Sequence, residues 1–117
     1  MGGFTIYEKE SGKEIYYANL PARNRIFDYL EIANALDDFV KAYISACPDC
    51  ITGYLDRRKA IEALRKAIEY FKEMEDEIAV GYLGELLEAL EESKEDILVI
   101  EDELECCPHE RWERSIL

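Results

Sequence analysis

The first eighteen residues show the alternation of apolar and polar positions that is typical of short strands. Residues 4–8 and 14–18 are rich in aromatic and β-branched side chains, and the polar residues 9–13 between them include Gly12. This pattern predicts a β-hairpin over residues 4–18. Because an isolated hairpin is marginally stable in water, its apolar face is expected to pack on the rest of the protein.

From residue 22 onward the apolar positions recur at steps of three and four, which is the spacing of one face of an α-helix. A first helix is predicted over residues 22–46, and its stripe consists of Ile26, Leu30, Ala33, Leu36, Val40, Ile44 and Cys47. Pro48 is expected to end this helix, because its ring cannot follow a helical residue without a clash. A second helix is predicted over residues 53–75.

The third apolar stripe raises the question of whether Ser93 interrupts it. The stripe consists of Leu83, Leu86, Leu87, Leu90, Ile97, Ile100 and Leu104. Residues 93–96 resemble a capping box, which would begin another helix, but the three- and four-residue steps continue across them. We therefore predict one long helix over residues 77–105. A short terminal helix over residues 108–116 is predicted after it, with proline at its first position.

Together these elements predict a mainly α fold, a three-helix up-down bundle with a short N-terminal β-hairpin and a short C-terminal helix. The 117 residues have the usual size of one domain, 1–117. Gly81 and Gly84 in the long helix are expected to permit a close approach of another helix, since glycine is unfavourable in a helix interior.

The sequence also predicts a compartment. No apolar stretch approaches the ~20 residues of a membrane helix. The first residues lack the basic and apolar regions of a secretory signal, so a cytoplasmic location is expected. The chain has no Gln, three Asn and many Glu and Ile, a composition that leans toward thermophily.

The formal net charge of −13 is concentrated in one part of the chain. Residues 73–105 hold 14 acidic side chains and one basic side chain, whereas residues 1–72 hold 11 of each. This excess of negative charge disfavours nucleic-acid binding through a basic groove and favours a protein partner with a basic surface. The regularly spaced glutamates between Glu85 and Glu95 are expected to form the solvated side of a helix, not a magnesium site.

Two short thiol clusters carry the most specific chemistry, one at residues 47–50 and one at residues 106–109. They match a closed structural zinc site with four nitrogen and sulfur ligands. The predicted ligands are Cys47, Cys50, Cys106 and His109, with Cys107 as an alternative. In an up-down bundle the two clusters reach the same end only if residues 77–105 form one uninterrupted helix.

Other interpretations of the thiols remain open. Cys47 and Cys50 could form a redox dithiol, although the βαβ pattern of thioredoxin-like proteins is missing. Disulfides are a further option, because intracellular proteins of hyperthermophiles often contain them. An iron–sulfur centre would use all four cysteines and omit His109. Finally, Cys47 could be an ordinary core residue, and the other cysteines could have no special role.

The sequence predicts a non-enzymatic, acidic, helical interaction or regulatory module stapled by a structural, zinc-like metal. No catalytic residues are predicted, because His109 is the only histidine and no nucleophile or phosphate-binding signature is present. The alternatives are a small thiol-redox or disulfide-stabilised protein that uses Cys47 and Cys50, and an acidic decoy that binds a basic protein.

Overall fold

An antiparallel β-sheet with four helices forms the fold, which is therefore of the α/β kind. The computed structural model describes residues 3–44 and 52–102, with side chains described over residues 3–42 and 53–101. Along the chain the elements are β1 (Gly3–Glu8), β2 (Glu14–Asn19), α1 (Leu20–Ile32), α2 (Leu36–Val40), β3 (Tyr43–Ile44), β4 (Thr52–Asp56), α3 (Arg57–Glu73), α4 (Glu77–Glu92) and β5 (Ile97–Asp102). The predicted three-helix bundle, a mainly α fold, is wrong.

The strands lie side by side in the order β2-β1-β5-β4-β3. β1 and β2 form the hairpin that the alternating pattern predicts, with an irregular register between Ile6 and Tyr7. β5, the last of the described strands, lies in the middle of the sheet and pairs antiparallel with both β1 and β4. The two-residue strand β3 pairs with β4 at the edge.

One face of the sheet packs against the helices. The strand residues that point to this face are buried and join the buried residues of the helices in one hydrophobic cluster. They include Phe4, Ile6, Ala18, Leu55, Leu98 and Ile100. Their neighbours along the strands, such as Tyr7, Tyr54 and Val99, are half-buried on the opposite face. Burial that alternates from one residue to the next is typical of an antiparallel sheet with one face packed on the core.

The predicted helix over residues 22–46 is wrong, because two short helices and a strand occupy this range. α1 ends at Ile32, and Asn34 adopts the left-handed conformation with φ of 59°. The N–H of Ala35 then donates to the carbonyl of Leu30 over 2.8 Å, which closes the helix end. The stripe does not continue past this break: Ala33 is still buried, but Leu36 and Val40 are only half-buried. The buried residue of α2 is Phe39, which is not part of the predicted stripe.

The predicted helix over residues 53–75 starts too early, since residues 52–56 form a strand. The Asp56 carboxylate accepts a hydrogen bond from the Lys59 N–H over 3.1 Å and caps the start of α3. The predicted end of this helix is close to the observed one, where Glu75 adopts the left-handed conformation with φ of 57°. The Asp76 N–H donates to the Phe71 carbonyl over 2.9 Å, which completes a Schellman closure.

The substitution Glu75→Gly is expected to stabilise the protein by up to about 1 kcal/mol. A residue with a Cβ atom loses roughly 1–2 kcal/mol in the left-handed conformation, more than the about 0.4–1 kcal/mol of extra unfolded-chain entropy that glycine brings. Glu73→Gly, two positions earlier in the last turn of α3, is the matched control and should destabilise. Urea unfolding followed by circular dichroism measures both, and a loss of stability in both variants would contradict the expectation.

The predicted long helix over residues 77–105 is also wrong, because α4 ends at Glu92 and a strand follows it. Ser93 is the C-cap of α4 and has an extended backbone. Its buried hydroxyl donates to Glu8 Oε2 over 2.9 Å and accepts from the Glu95 N–H over 3.3 Å. A hydrogen bond from the Ser11 hydroxyl, and then the one from Ser93, lower the pKa of the Glu8 carboxyl. Ser93 thus ends a helix and ties its end to β1.

Arg57 also fixes the connection between α4 and β5. The Arg57 guanidinium at the start of α3 donates from Nε to the Glu95 carbonyl over 2.8 Å and from Nη1 to the Leu90 carbonyl over 3.2 Å. The Arg57 N–H donates to the Asp96 carbonyl over 3.0 Å. Residues 93–96 are therefore bonded to both β1 and α3, which turns the chain from α4 into the central strand. The predicted terminal helix over residues 108–116 lies outside the described residues.

Candidate functional site

The predicted metal ligands Cys47, Cys50, Cys106 and His109, and the alternative Cys107, all lie outside the described residues. Within residues 3–44 and 52–102, no group of three or more His, Cys, Asp or Glu side chains could hold a metal ion. What the structure gives is the position of the strands to which the two thiol clusters are attached.

Both clusters are attached to the same end of the sheet. Thr52, the first residue of β4, pairs with Glu101 near the end of β5. Directly paired residues in an antiparallel sheet have Cα atoms about 4.5–5.5 Å apart. The chain that leads into β4 from Cys50 and the chain that leaves β5 toward Cys106 are therefore joined to neighbouring strands at one point. This arrangement does not need the uninterrupted helix that the sequence predicted.

Part of the acidic excess lies on the outer side of α4. On α4, residues Leu83, Leu86 and Leu90 are fully buried. The exposed positions of the same helix carry the carboxylates of Glu77, Glu85, Glu88, Glu91 and Glu92. Glu91 forms an ion pair with Arg65 of α3. The interpretation of these glutamates as a solvated helix side is thus consistent with their exposure.

A groove lies at the turn between α3 and α4, and we call it the α3–α4 groove. Its volume is about 540 Å³, and its lining consists of Phe71, Lys72, Glu75, Asp76, Glu77, Val80 and Gly81. Apolar groups from Phe71 and Val80 are combined there with three carboxylates and one ammonium group. Two of the most exposed large apolar side chains of the described residues lie on either side of the turn, Met74 at 62% and Ile78, in the first turn of α4, at 63%.

The expectation that Gly81 and Gly84 permit a close approach of another helix is wrong. A Cβ atom built on Gly81 or on Gly84 would meet no heavy atom within 4 Å, so neither glycine is required for close helix packing. Glycine nevertheless costs a helix interior about 1 kcal/mol relative to alanine. At Gly81 the consequence of the missing side chain is an open groove in which the α4 backbone is accessible.

A second cavity of about 370 Å³ lies between α2 and α3 and is lined by Asp38, Lys41, Lys59, Glu62, Ala63 and Lys66. Three ammonium groups face two carboxylates there, so the charges nearly cancel. Lys66 is already engaged, because its Nζ donates to Asp38 Oδ2 and to the Asn34 carbonyl, each over 3.1 Å. This cavity therefore offers little net charge to attract an anion.

Two tyrosines have raised pKa values, and both remain protonated near neutral pH. Burial, and then the charges of Glu85 and Tyr82, raise the pKa of Tyr16 to about 12. A hydrogen bond to the Glu101 carboxylate is the main cause that raises the pKa of Tyr7 on the open face of the sheet. Near neutrality neither phenol acts as a base: Tyr7 donates a hydrogen bond to Glu101, and Tyr16 packs against the core.

Comparisons of the chain with protein-family models, curated proteins and solved structures each found no match. Among the described helices, none is long and apolar enough to cross a membrane.

The sequence interpretation did not find the α3–α4 groove. The signal that could have indicated it is Gly81 within an otherwise regular amphipathic helix, at a position that proves to be exposed. The left-handed Glu75 that shapes the turn has no comparable signal, because glutamate rarely adopts this conformation.

Proposed function

We propose that the protein is a non-enzymatic interaction or regulatory module in which a structural, zinc-like metal holds together the chain segments at one end of the sheet. We call this proposed site the metal staple. Cys47, Cys50, Cys106 and His109 are the proposed ligands, and Cys107 is the alternative to Cys106. The observation that carries the proposal is the pairing of Thr52 with Glu101, because it attaches both thiol clusters to neighbouring strands.

Chain length is compatible with a shared site. Cys50 lies two residues before Thr52, so their Cα atoms are at most about 7 Å apart, and Cys106 lies four residues after Asp102, within about 14 Å. Both spans start at adjacent strands of the sheet. Four thiol and imidazole donors suit a tetrahedral zinc ion, and such a site would be expected to survive in a reducing cytoplasm.

Native mass spectrometry of the intact chain under reducing conditions, combined with elemental analysis, tests the staple. We expect one metal ion per chain in the wild type, and its loss in Cys50→Ser. Cys106→Ser and Cys107→Ser form a matched pair, since only the variant that removes the true ligand should lose the metal.

Two results would overturn the staple. The first is a metal-free wild-type chain that becomes lighter by two hydrogen atoms per disulfide on gentle oxidation, which would support thiol pairing. The second is rapid alkylation of Cys47 by iodoacetamide in the folded protein near neutral pH, since a metal-bound thiolate is protected from it.

The charge distribution supports the interaction part of the proposal. The exposed carboxylates of α4 create a negative potential on one side of the protein, which attracts a basic partner and repels nucleic acid. We therefore expect the partner to be a protein with a cationic surface. Binding to such a partner should weaken as salt concentration increases.

A further inference from the structure

We propose that the α3–α4 groove is the docking site for a basic amphipathic segment of the partner protein. This inference rests on the proposed interaction function and adds to it the surface and the chemistry of the partner. It concerns described residues only and is independent of the metal staple.

The shape of the groove fits an apolar side chain carried on a peptide. Its volume of about 540 Å³ lies within the range of ligand pockets, which is roughly 300–1,000 Å³. Val80 supplies half-buried apolar surface, whereas Phe71 is 4% exposed and offers little. The absent side chain at Gly81 lets a partner approach the α4 backbone. Met74 and Ile78 do not line the groove, but they are exposed near it in sequence, at the C-cap of α3 and in the first turn of α4, and add apolar surface for the partner to cover.

The charges around the groove specify a cationic partner. Glu75, Asp76 and Glu77 line it, against the single ammonium group of Lys72. Asp76 already accepts a hydrogen bond from the Ala79 N–H over 3.1 Å, so Glu75 and Glu77 are the better placed for a partner. Lysine and arginine suit this site because their aliphatic stems cover apolar surface while the charged end reaches a carboxylate.

A second copy of this chain is a poor occupant. In a two-fold symmetric dimer the same surface meets itself, so the acidic lining would face the acidic lining of the other copy. Juxtaposed like charges disfavour such an interface, and the net charge of −13 adds a long-range repulsion. The groove therefore points to a different protein, with a segment of opposite charge.

The test uses the full chain and a short synthetic Lys/Leu peptide that forms an amphipathic helix. A peptide with the same pattern, in which every Lys is replaced by Glu, is the charge control. Isothermal titration calorimetry measures binding at low and high salt. Amide chemical shifts in labelled protein report where the peptide binds, and circular dichroism confirms that each variant is folded.

Two groove variants and one matched control make the test specific. Gly81→Leu fills the groove without changing the charge, and leucine is a better helix former than glycine, so the variant should fold. We expect it to weaken binding about tenfold or more, as for the loss of a buried contact. Glu77→Gln should weaken binding about two- to fivefold, as for one exposed ion pair. Glu69→Gln removes the same charge from an exposed position of α3 outside the groove and should have little effect.

Three results would overturn the proposal: no binding of the Lys/Leu peptide to the wild type, unchanged binding to Gly81→Leu, or equal weakening by Glu69→Gln and Glu77→Gln. The last would mean diffuse attraction by the whole acidic surface. Native mass spectrometry of the same samples counts metal ions separately from bound peptide. A failure of groove docking and a failure of the metal staple are thus distinguished.

Discussion

Arg57→Met is expected to destabilise the protein by about 2–3 kcal/mol, because it removes two hydrogen bonds from a charged donor to backbone carbonyls. Leu90 and Glu95, whose carbonyls accept these bonds, lie at the end of α4 and in the connection to β5. No basic residue lies in the last turn of α4, so Arg57 also supplies positive charge to a helix C-terminus that otherwise lacks it. Methionine retains most of the side-chain length, which limits the effect to the guanidinium.

Arg58→Met is the matched control, since Arg58 is the next residue of α3 and is exposed. Urea unfolding of both variants should show a lower midpoint for Arg57→Met only, with an unchanged slope. If both variants lost the same unfolding free energy, the loss would result from the change in charge or in helix propensity. The stabilising contact of Arg57 with the end of α4 would then be contradicted.

The Arg57 contacts also show what local sequence reasoning could not provide. Basic residues at the N-terminus of a helix are locally unfavourable, and α3 begins with Arg57, Arg58 and Lys59 without an acidic residue in its first turn. This mismatch has a physical reason only in three dimensions, because the start of α3 lies beside the end of α4. The position of Arg57 is therefore explained by the packing of α3 beside α4, which the local sequence does not show.

The hairpin could be predicted because β1 and β2 are adjacent in sequence and alternate with period two. The rest of the sheet could not be predicted in the same way, because β5 pairs with strands that are distant in the chain. Residues 97–100 are four consecutive apolar residues, a run too short to separate a strand from a helix by periodicity. The β-branched residues Ile97, Val99 and Ile100 favour a strand, and this signal should have outweighed the continued helical steps.

The candidate site was predictable only in part. The charge segregation that favours a basic partner can be read from composition alone, and the glutamates of α4 are exposed as expected. The groove itself depends on the left-handed backbone of Glu75 and on the relative position of two helices. Because both are set by tertiary packing, which overrides local preference, the groove follows from the fold and not from a motif.

The pair Ile100→Ala and Ile97→Ala should separate the observed strand from the predicted helix most sharply. Ile100 is 1% exposed in the core, whereas Ile97 lies on the other face of β5 and is half-buried. Truncation of a fully buried isoleucine to alanine costs about 2–5 kcal/mol, because it combines lost burial with a cavity. Ile97→Ala removes the same atoms from a partly solvated site and should cost about 1 kcal/mol or less.

The observed strand and the predicted helix lead to different expectations for Ile97→Ala and Ile100→Ala. On a single helix over residues 77–105, Ile97 and Ile100 would share one apolar stripe, and both truncations would be similarly costly. On a strand, successive side chains point to opposite faces, so residues three apart face opposite sides of the sheet. Equal losses of unfolding free energy in urea would therefore contradict β5. A large loss for Ile100→Ala alone would support the central strand β5, which pairs with both β1 and β4.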